Sequence, residues 1–179
     1  LTPSSYNSML TLSRCIVRFR PMTQDKKTYH HGDLRQSLLQ AATDIIREGG
    51  VDSLSMRKLA DNVGVSRTAP YHHFKDKNEL LCAIAEAGFS DHIHAVSKLP
   101  QQHLDLDQRA LFELYVLSYI RFADNHPATY DLMFGKEIWK LGKPTESLKA
   151  ISKRCFQHWL EWIETLQAQQ VLTDQHPTL

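Results

Sequence analysis

The sequence has only three cysteines, and they lie far apart. Cys15, Cys82 and Cys155 are odd in number and lack the spacing of a zinc site. This pattern argues against a disulfide framework and is typical of a reducing compartment, so we expect a cytoplasmic location. No apolar run approaches the roughly 18 residues of a membrane span, and no secretory signal is evident at the start. We therefore expect no membrane partner.

The sequence also lacks a strong overall charge, because its net charge is only +1. This value hides an asymmetry between the two parts of the chain. Residues 1–77 carry twelve lysines and arginines against seven acidic residues, whereas residues 78–179 carry nine against thirteen. The basic first part of the chain predicts contact with a polyanion. The acidic second part is not expected to share this contact and should have a different function.

Strand patterns are absent, and apolar residues recur at helical spacing along the chain. Asp33 and Gln36 resemble a capping box at the start of a first helix, which Gly49 and Gly50 end. Asp76 and Glu79 repeat this logic for a helix that continues past residue 90. Residues 110–123 are apolar almost all round, so we expect this segment to form the buried centre of a helical bundle. A short helix near 128–134 and a long one near 145–170 follow. The predicted fold class is all-α.

A motif of two short helices lies at residues 55–74. Met56, Leu59, Ala60 and Val63 form one apolar face, Ser55 stands at the N-cap position, and Gly64 can end the helix in the left-handed conformation. We expect Ser66 to cap a second helix that starts at Arg67. Two helices joined by a short glycine-containing turn predict a helix-turn-helix, whose second helix enters the major groove of DNA. An ordinary helical hairpin is the alternative.

The second helix has side chains suited to DNA. Arginine can read guanine, small methyl groups suit thymine, and hydroxyl and ammonium groups bind phosphates. Possible donors are Arg67, Thr68, Tyr71, His72 and His73, while Ala69 and Phe74 supply apolar contacts. Pro70 lies at the edge of the first turn, where it removes at most one helical hydrogen bond.

Residues 30–90 resemble the TetR/AcrR family of bacterial transcriptional regulators. The resemblance rests on residues 38–42, the corner at 49–52, and the segments 55–60, 63–66 and 71–77, which end in Tyr-His-His-Phe-Lys-Asp-Lys. It implies a DNA-binding head at 30–77 and a helical ligand-binding and dimerisation domain at 78–179. It also implies a homodimer that binds a palindromic double-stranded DNA operator, usually as a repressor, until a small-molecule inducer releases it.

The resemblance implies roles for individual residues. Arg67, Thr68, Ala69 and His72 would face base edges. Phosphate contacts would come from Ser55, Tyr71, His73, Lys75 and Lys77. Ser66, at the start of the second helix, completes the predicted DNA-binding set.

Aromatic and apolar residues of the second part could line an inducer cavity between helices, or they could be core. These residues are Tyr115, Tyr119, Phe122, Met133, Phe134, Trp139 and Trp159. Along the last helix, Leu148, Ile151, Cys155, Trp159, Trp162 and Leu166 form a seam that would pack either in the core or against another subunit.

The ends of the chain depart from the family pattern. We interpret residues 1–29 as a disordered or non-native extension, with Met22 as the native start, and the C-terminal domain as truncated after the loop at 173–177. This leaves an alternative function, a small-molecule-binding or interaction module that binds DNA only non-specifically.

Metal and enzyme functions have little support in the sequence. Adjacent histidines, such as His30 and His31 or His72 and His73, do not share a helix face, and neither do His92 and His94. We interpret the histidines as solvated or DNA-facing. No phosphate-binding glycine loop, nucleophile elbow or obligatory carboxylate pair is present. We therefore expect no metal, no cofactor and no catalysis.

Overall fold

The computed structural model describes residues 34–172, and every regular element within that range is helical. Residues 1–33 and 173–179 lie outside the described range, and so do the predictions for the N-terminal arm, Asp33 and the C-terminal loop. The seven α-helices are α1 (Leu34–Gly49), α2 (Met56–Val63), α3 (Lys77–Ser97), α4 (Leu99–Gln102), α5 (Gln108–Asn125), α6 (Pro127–Phe134) and α7 (Glu146–Ala168). Short 3-10 helices occupy Val51–Ser53 and Ala69–His72, and a π-helical turn occupies Glu137–Leu141.

Helix α1 follows the predicted apolar pattern. Leu38, Ala42, Ile45 and Ile46 are buried on one face, together with Leu39. The helix ends where Gly50 adopts a positive φ of 75°, a conformation that favours glycine. The buried face packs against α2, α3 and α6, so α1 ties the predicted DNA-binding head to the rest of the molecule.

Helix α3 is the central element of the structure. Asp76 caps it by accepting a hydrogen bond from the Glu79 backbone N–H at 2.8 Å, as the sequence predicted. The Glu79 carboxylate completes the cap one residue earlier than in a standard capping box, on the Lys75 backbone N–H at 2.7 Å. Ten of the 21 residues of α3 are buried, because α1, α5, α6 and α7 all pack on it.

The prediction that residues 110–123 form the buried centre is wrong. Helix α5 covers this segment but buries only Leu111, Leu114, Tyr115, Ser118 and Phe122. Val116 and Leu117 are partly exposed, and Ile120 is 50% exposed. The reason is that α3, with neighbours on several sides, occupies the centre, so that α5 covers one side of it and leaves an apolar face uncovered.

The helices enclose two apolar clusters. The larger one extends from Leu38 in α1 through Phe74 and α3 to Met133 and Leu148. The smaller one contains Val96, Leu99, Leu114 and Tyr115, with Trp159 and Trp162 packed against it. Because the larger cluster crosses position 77, the boundary between the predicted domains does not separate two cores. The division into 30–77 and 78–179 remains a prediction.

The breaks near the end of the chain agree with the sequence. Pro127 starts α6 directly after His126, and Thr145 caps α7 by accepting a hydrogen bond from the Leu148 backbone N–H. Along α7, Leu148 and Leu166 are buried and the intervening members of the seam are half-buried. The seam therefore packs against both apolar clusters of its own chain. Phe156, outside the seam, is 52% exposed.

Candidate nucleic-acid interface

Helix α2 forms the first half of the helix-turn-helix as predicted. The Ser55 side chain accepts a hydrogen bond from the Lys58 backbone N–H at 3.1 Å. Met56, Leu59 and Ala60 face the core, and Gly64 ends the helix with φ 76° and ψ 34°. Because this is the left-handed region, glycine lets the chain turn here without steric cost. The turn directs residues 65–68 towards the second helix.

The second helix differs from the prediction. It does not begin at Arg67 under a Ser66 cap, but spans Ala69–His72 as a 3-10 helix without a side-chain cap. The Ser66 hydroxyl is instead 3.1 Å from the Thr68 hydroxyl. Pro70 explains the late and tight start, because proline has no N–H and its ring disfavours helical geometry in the residue before it. The buried Pro70 ring also anchors this short helix, which we call the recognition helix.

Most of the predicted DNA-binding side chains are exposed around the recognition helix. Tyr71 is 54% exposed, so its side chain is accessible from solvent. The other members of the exposed set are Ser55, Ser66, Arg67, Thr68, His72 and Lys75. Hydroxyl, imidazole, guanidinium and ammonium donors are thus exposed on the surface of residues 55–75. The chemistry of this surface matches the phosphate oxygens and base edges of a DNA groove.

Three predicted residues are less available. Ala69 and His73 are half-buried, and the His73 ring lies 6.4 Å from the ring of the buried Phe74. The Lys77 ammonium donates a hydrogen bond to the Val51 carbonyl at 2.6 Å, which ties α3 to the corner after α1. The Lys77 ammonium therefore makes a hydrogen bond within the protein, which leaves it less available to a phosphate. Lys75, two residues earlier, keeps an exposed side chain.

A residue that the sequence analysis did not consider supports the recognition helix from behind. The Arg35 guanidinium in α1 lies 5.2 Å from the centre of the Phe74 ring, within the range of a cation–π contact. Phe74 itself is 1% exposed and joins the larger apolar cluster. No local pattern in the sequence links these two residues, because their contact depends on the tertiary fold.

The seven predicted ligand-binding residues belong to different parts of the structure. Phe122 and Met133 are buried in the larger cluster, Tyr115 belongs to the smaller one, and Trp159 packs against the smaller one. The Tyr119 hydroxyl is 3.2 Å from that of Tyr130. The remaining two residues, Phe134 and Trp139, are partly exposed. The Phe134 ring packs against Tyr119, and the Trp139 indole N–H donates a hydrogen bond to the Met133 carbonyl.

A cavity of about 460 Å³ lies at a different place, between the end of α1 and helix α6. Arg47, Asp52, Asp131 and Glu137 are among its lining residues. None of the seven predicted ligand-binding residues borders it. Its walls include several charged side chains, whereas the sequence predicted an aromatic, apolar lining.

The interpretation of all histidines as solvated or DNA-facing is wrong for His92. This residue of α3 is only 2% exposed, and its imidazole contacts the rings of Tyr115, Tyr119 and Phe122. Burial, reinforced by the charge of His158, lowers the pKa of His92 to about 4. The position could have been found from the sequence, because His92 continues the face of α3 that carries Ala85 and Gly88. His94, two residues later, is exposed.

The fold of residues 55–74 is that of a helix-turn-helix unit, the class of DNA-binding element in which a short second helix is presented to the groove. Comparison with known proteins agrees with this class. Residues 38–84 match the family model described as bacterial regulatory proteins, tetR family. Within residues 34–172, no helix is long and apolar enough to span a bilayer, and no cluster of three or more potential metal ligands is found.

Individual relatives and solved structures agree with the family model. The tetracycline repressor protein class A from transposon 1721 of Escherichia coli is 44% identical over 63 residues, which are 35% of this chain and 29% of that repressor. A protein of unknown function from Rhodococcus sp. RHA1 superposes with a TM-score of 0.67 at 29% identity, over 84% of this chain and 76% of the other. The TetR-family regulator PfmR from Thermus thermophilus superposes with a TM-score of 0.59 at 21% identity, over 77% and 74% of the two chains.

The match to the tetR family of bacterial regulatory proteins thus covers residues 38–84, about a quarter of the chain. The match to the class A repressor spans less than a third of that protein. The similarity of the remaining helices is one of fold.

Proposed function

We propose that this protein is a transcriptional repressor that binds a palindromic DNA operator as a homodimer and is released by a small-molecule inducer. The observation that carries the proposal is the exposed donor surface around the recognition helix, held by the Ser55 cap and the Gly64 turn. In addition, relatives of this head are named as repressors.

We assign the base-reading role to Arg67, Thr68 and His72, with Ala69 as a methyl contact. Tyr71, Lys75, Ser55 and Ser66 would contact phosphates. His73 and Lys77 are weaker candidates, because their side chains already pack on Phe74 and hydrogen-bond Val51. This ranking follows from the contacts within the head, and it separates stronger from weaker candidates among the ten residues predicted from the sequence.

The homodimer is supported by apolar side chains that the described residues leave exposed. Val116, Leu117 and Ile120 form such a face on α5, and Phe156 is exposed on α7. Burying such residues against a second copy would remove their apolar area from water. Light scattering after size exclusion should therefore give a mass of two chains, and Phe156→Asp or Ile120→Asp should shift it towards one. A wild-type monomer at micromolar concentration would contradict the dimer.

The DNA proposal is tested with the whole chain and a fragment of the upstream region of its own gene, compared with a shuffled fragment at two salt concentrations. We expect binding at least about 100-fold tighter to the native fragment, since specific affinity usually exceeds non-specific affinity by roughly 10³–10⁷-fold. Equal and steeply salt-dependent binding to both fragments would favour the alternative module with non-specific DNA affinity.

Variants separate the roles of the residues. Lys75→Ala should weaken binding to both fragments and reduce the slope of log affinity against log salt by about 1. Arg67→Ala should cost about 1–3 kcal/mol on the native fragment and relax the preference at one or two base pairs. Lys153→Ala, an exposed lysine on α7, serves as the matched control and should change neither quantity. If Arg67→Ala left the base preference unchanged, the assignment of this side chain to base edges would be wrong.

A further inference from the structure

His92 carries a buried polar atom without a partner. Its Nδ1 is inaccessible to solvent and has no hydrogen bond to any of the residues that the structure describes. A buried, unpaired hydrogen-bonding group typically costs about 1–3 kcal/mol of stability, so such groups call for a specific reason. A ligand that supplies the missing hydrogen bond is one such reason.

The surroundings of His92 have the composition of a small-molecule site. The rings of Tyr115, Tyr119 and Phe122, all from α5, lie with their centres 5.9, 5.2 and 5.8 Å from the imidazole centre. Sites for small molecules combine mostly apolar and aromatic walls with a few polar atoms that set orientation. Here three aromatic rings lie next to an imidazole that carries a buried, unpaired polar atom.

The position of His92 in the core indicates where a ligand would enter. Its neighbours on α3 belong to different clusters, Phe89 to the larger and Val96 to the smaller. Towards α6 the helices are closed, because a Cβ atom at Gly88 would come within 2.6 Å of Met133 Sδ. Helix α3 packs less extensively on α5 than on α6 or α7. The boundary between α3 and α5, where His92 lies, is thus the part of the core that a ligand would separate most easily.

We propose that His92 Nδ1 is the polar recognition group of a ligand site between α3 and α5, and that the site takes an aromatic molecule with a hydroxyl group. The hydroxyl would donate its hydrogen bond to Nδ1, and the aromatic rings of α5 would hold the apolar part. This inference rests on the proposed function, because it names the chemical class of the inducer. Burial disfavours the charged imidazolium, so a neutral hydroxyl suits the site better than a carboxylate, which needs a positive partner.

The probes are 1-naphthol, naphthalene and 1-naphthoate, titrated into the whole chain with tryptophan fluorescence and calorimetry as readouts. We expect 1-naphthol to bind about 10-fold tighter than naphthalene, as one added hydrogen bond of about 1.4 kcal/mol would give, and 1-naphthoate to bind more weakly than 1-naphthol. His92→Leu should remove the preference for naphthol and retain binding of naphthalene. His94→Leu changes an exposed histidine of the same helix and should keep the preference.

A second readout needs no ligand. Leucine is apolar and similar in volume to histidine, so His92→Leu removes the unpaired atom without opening a large cavity. We expect the melting temperature of the ligand-free variant at pH 7 to rise by about 2–4 °C for each 1 kcal/mol gained. A fall in melting temperature would mean that His92 makes a structural hydrogen bond, and it would overturn the proposal. So would the absence of naphthol binding, or a naphthol preference that survives in His92→Leu.

DNA titration of the same samples keeps the two proposals apart. If the wild-type chain binds its upstream fragment selectively but shows no naphthol preference, the regulator stands and the ligand site falls. If the naphthol preference depends on His92 while DNA binding is non-selective, the ligand site stands and the repressor proposal falls. Release of DNA by 1-naphthol in the wild type, but not in His92→Leu, would support both.

Discussion

Replacement of Gly88 by alanine probes the contact between α3 and α6, which joins the central helix to its neighbour. An alanine Cβ at this position would lie 2.6 Å from Met133 Sδ and 2.6 Å from Thr129 Cγ2. Ordinary contacts between such atoms are about 3.5–4.0 Å, so the helices must separate by roughly 1 Å or the side chains must change rotamer. Met133 is 1% exposed and Thr129 is β-branched, so neither side chain moves easily.

The expected effect is the difference between two terms of opposite sign. Overpacking of this kind costs about 1–3 kcal/mol. Alanine in place of glycine inside a helix contributes about 1 kcal/mol in the favourable direction. We therefore expect Gly88→Ala to lower the free energy of unfolding by about 1 kcal/mol, since the steric term is about 2 kcal/mol at the middle of its range.

Urea unfolding, followed by circular dichroism and tryptophan fluorescence, measures this difference. Ala87→Gly is the matched control, because Ala87 is the exposed neighbour of Gly88 and reports the helix propensity term by itself. Combining Gly88→Ala with Thr129→Ala removes one of the two obstructing atoms, and the double-mutant cycle should give a favourable coupling of about 1 kcal/mol. If Gly88→Ala stabilised the protein by as much as Ala87→Gly destabilises it, the close contact between α3 and α6 would be refuted.

Three further predictions concern stability. Ser55→Ala should lower the free energy of unfolding by about 1 kcal/mol in urea, through loss of the α2 cap, whereas Ser66→Ala, whose hydroxyl caps nothing, should cost less. Asn78→Ala should cost about 1–2 kcal/mol in the same assay, since its amide bonds both the N–H and the carbonyl of Lys143; an unchanged midpoint would contradict this bridge. Because His92 has a pKa of about 4 in the folded state and about 6.5 when unfolded, the unfolded chain binds more protons between these values. Stability should thus fall by up to about 3 kcal/mol as the pH is lowered from about 6.5 to about 4, and His92→Leu should remove this part of the pH profile. Among the groups that face the imidazole, Tyr115 and Tyr119 stay neutral in this range, because burial raises the pKa of both phenols. The charge of His158 contributes to the lowered pKa of His92.

The parts of the fold that depend on local interactions could be predicted from the sequence. The caps at Ser55, Asp76 and Thr145 and the left-handed turn at Gly64 each involve atoms within four residues, so the residue types alone indicate them. The helical class and the family of the head follow from the same local patterns.

The errors arise where tertiary contacts decide. Residues 110–123 are apolar on nearly every side, so no periodicity indicates which face meets the core, and the packing of α3 determined that. The sequence predicts that Pro70 is tolerated at the edge of a regular helix, but the residues around it form only a short 3-10 helix. The spacing of His92 and His94 indicates only whether the two imidazoles could bind one metal ion. The burial of His92 depends instead on its position on the apolar face of α3. The assignments of individual residues to DNA remain predictions.

Helix α3 also connects the corner after α1 to the smaller apolar cluster. Its 21 residues span about 32 Å at about 1.5 Å per residue. One end carries Lys77, which holds the corner at Val51, and the other end carries Val96 in the smaller cluster. A tilt of only about 5° at the Val96 end displaces the Lys77 end by roughly 3 Å over that length. A small rotation of α3 about the smaller cluster would therefore be amplified at the corner that Lys77 holds.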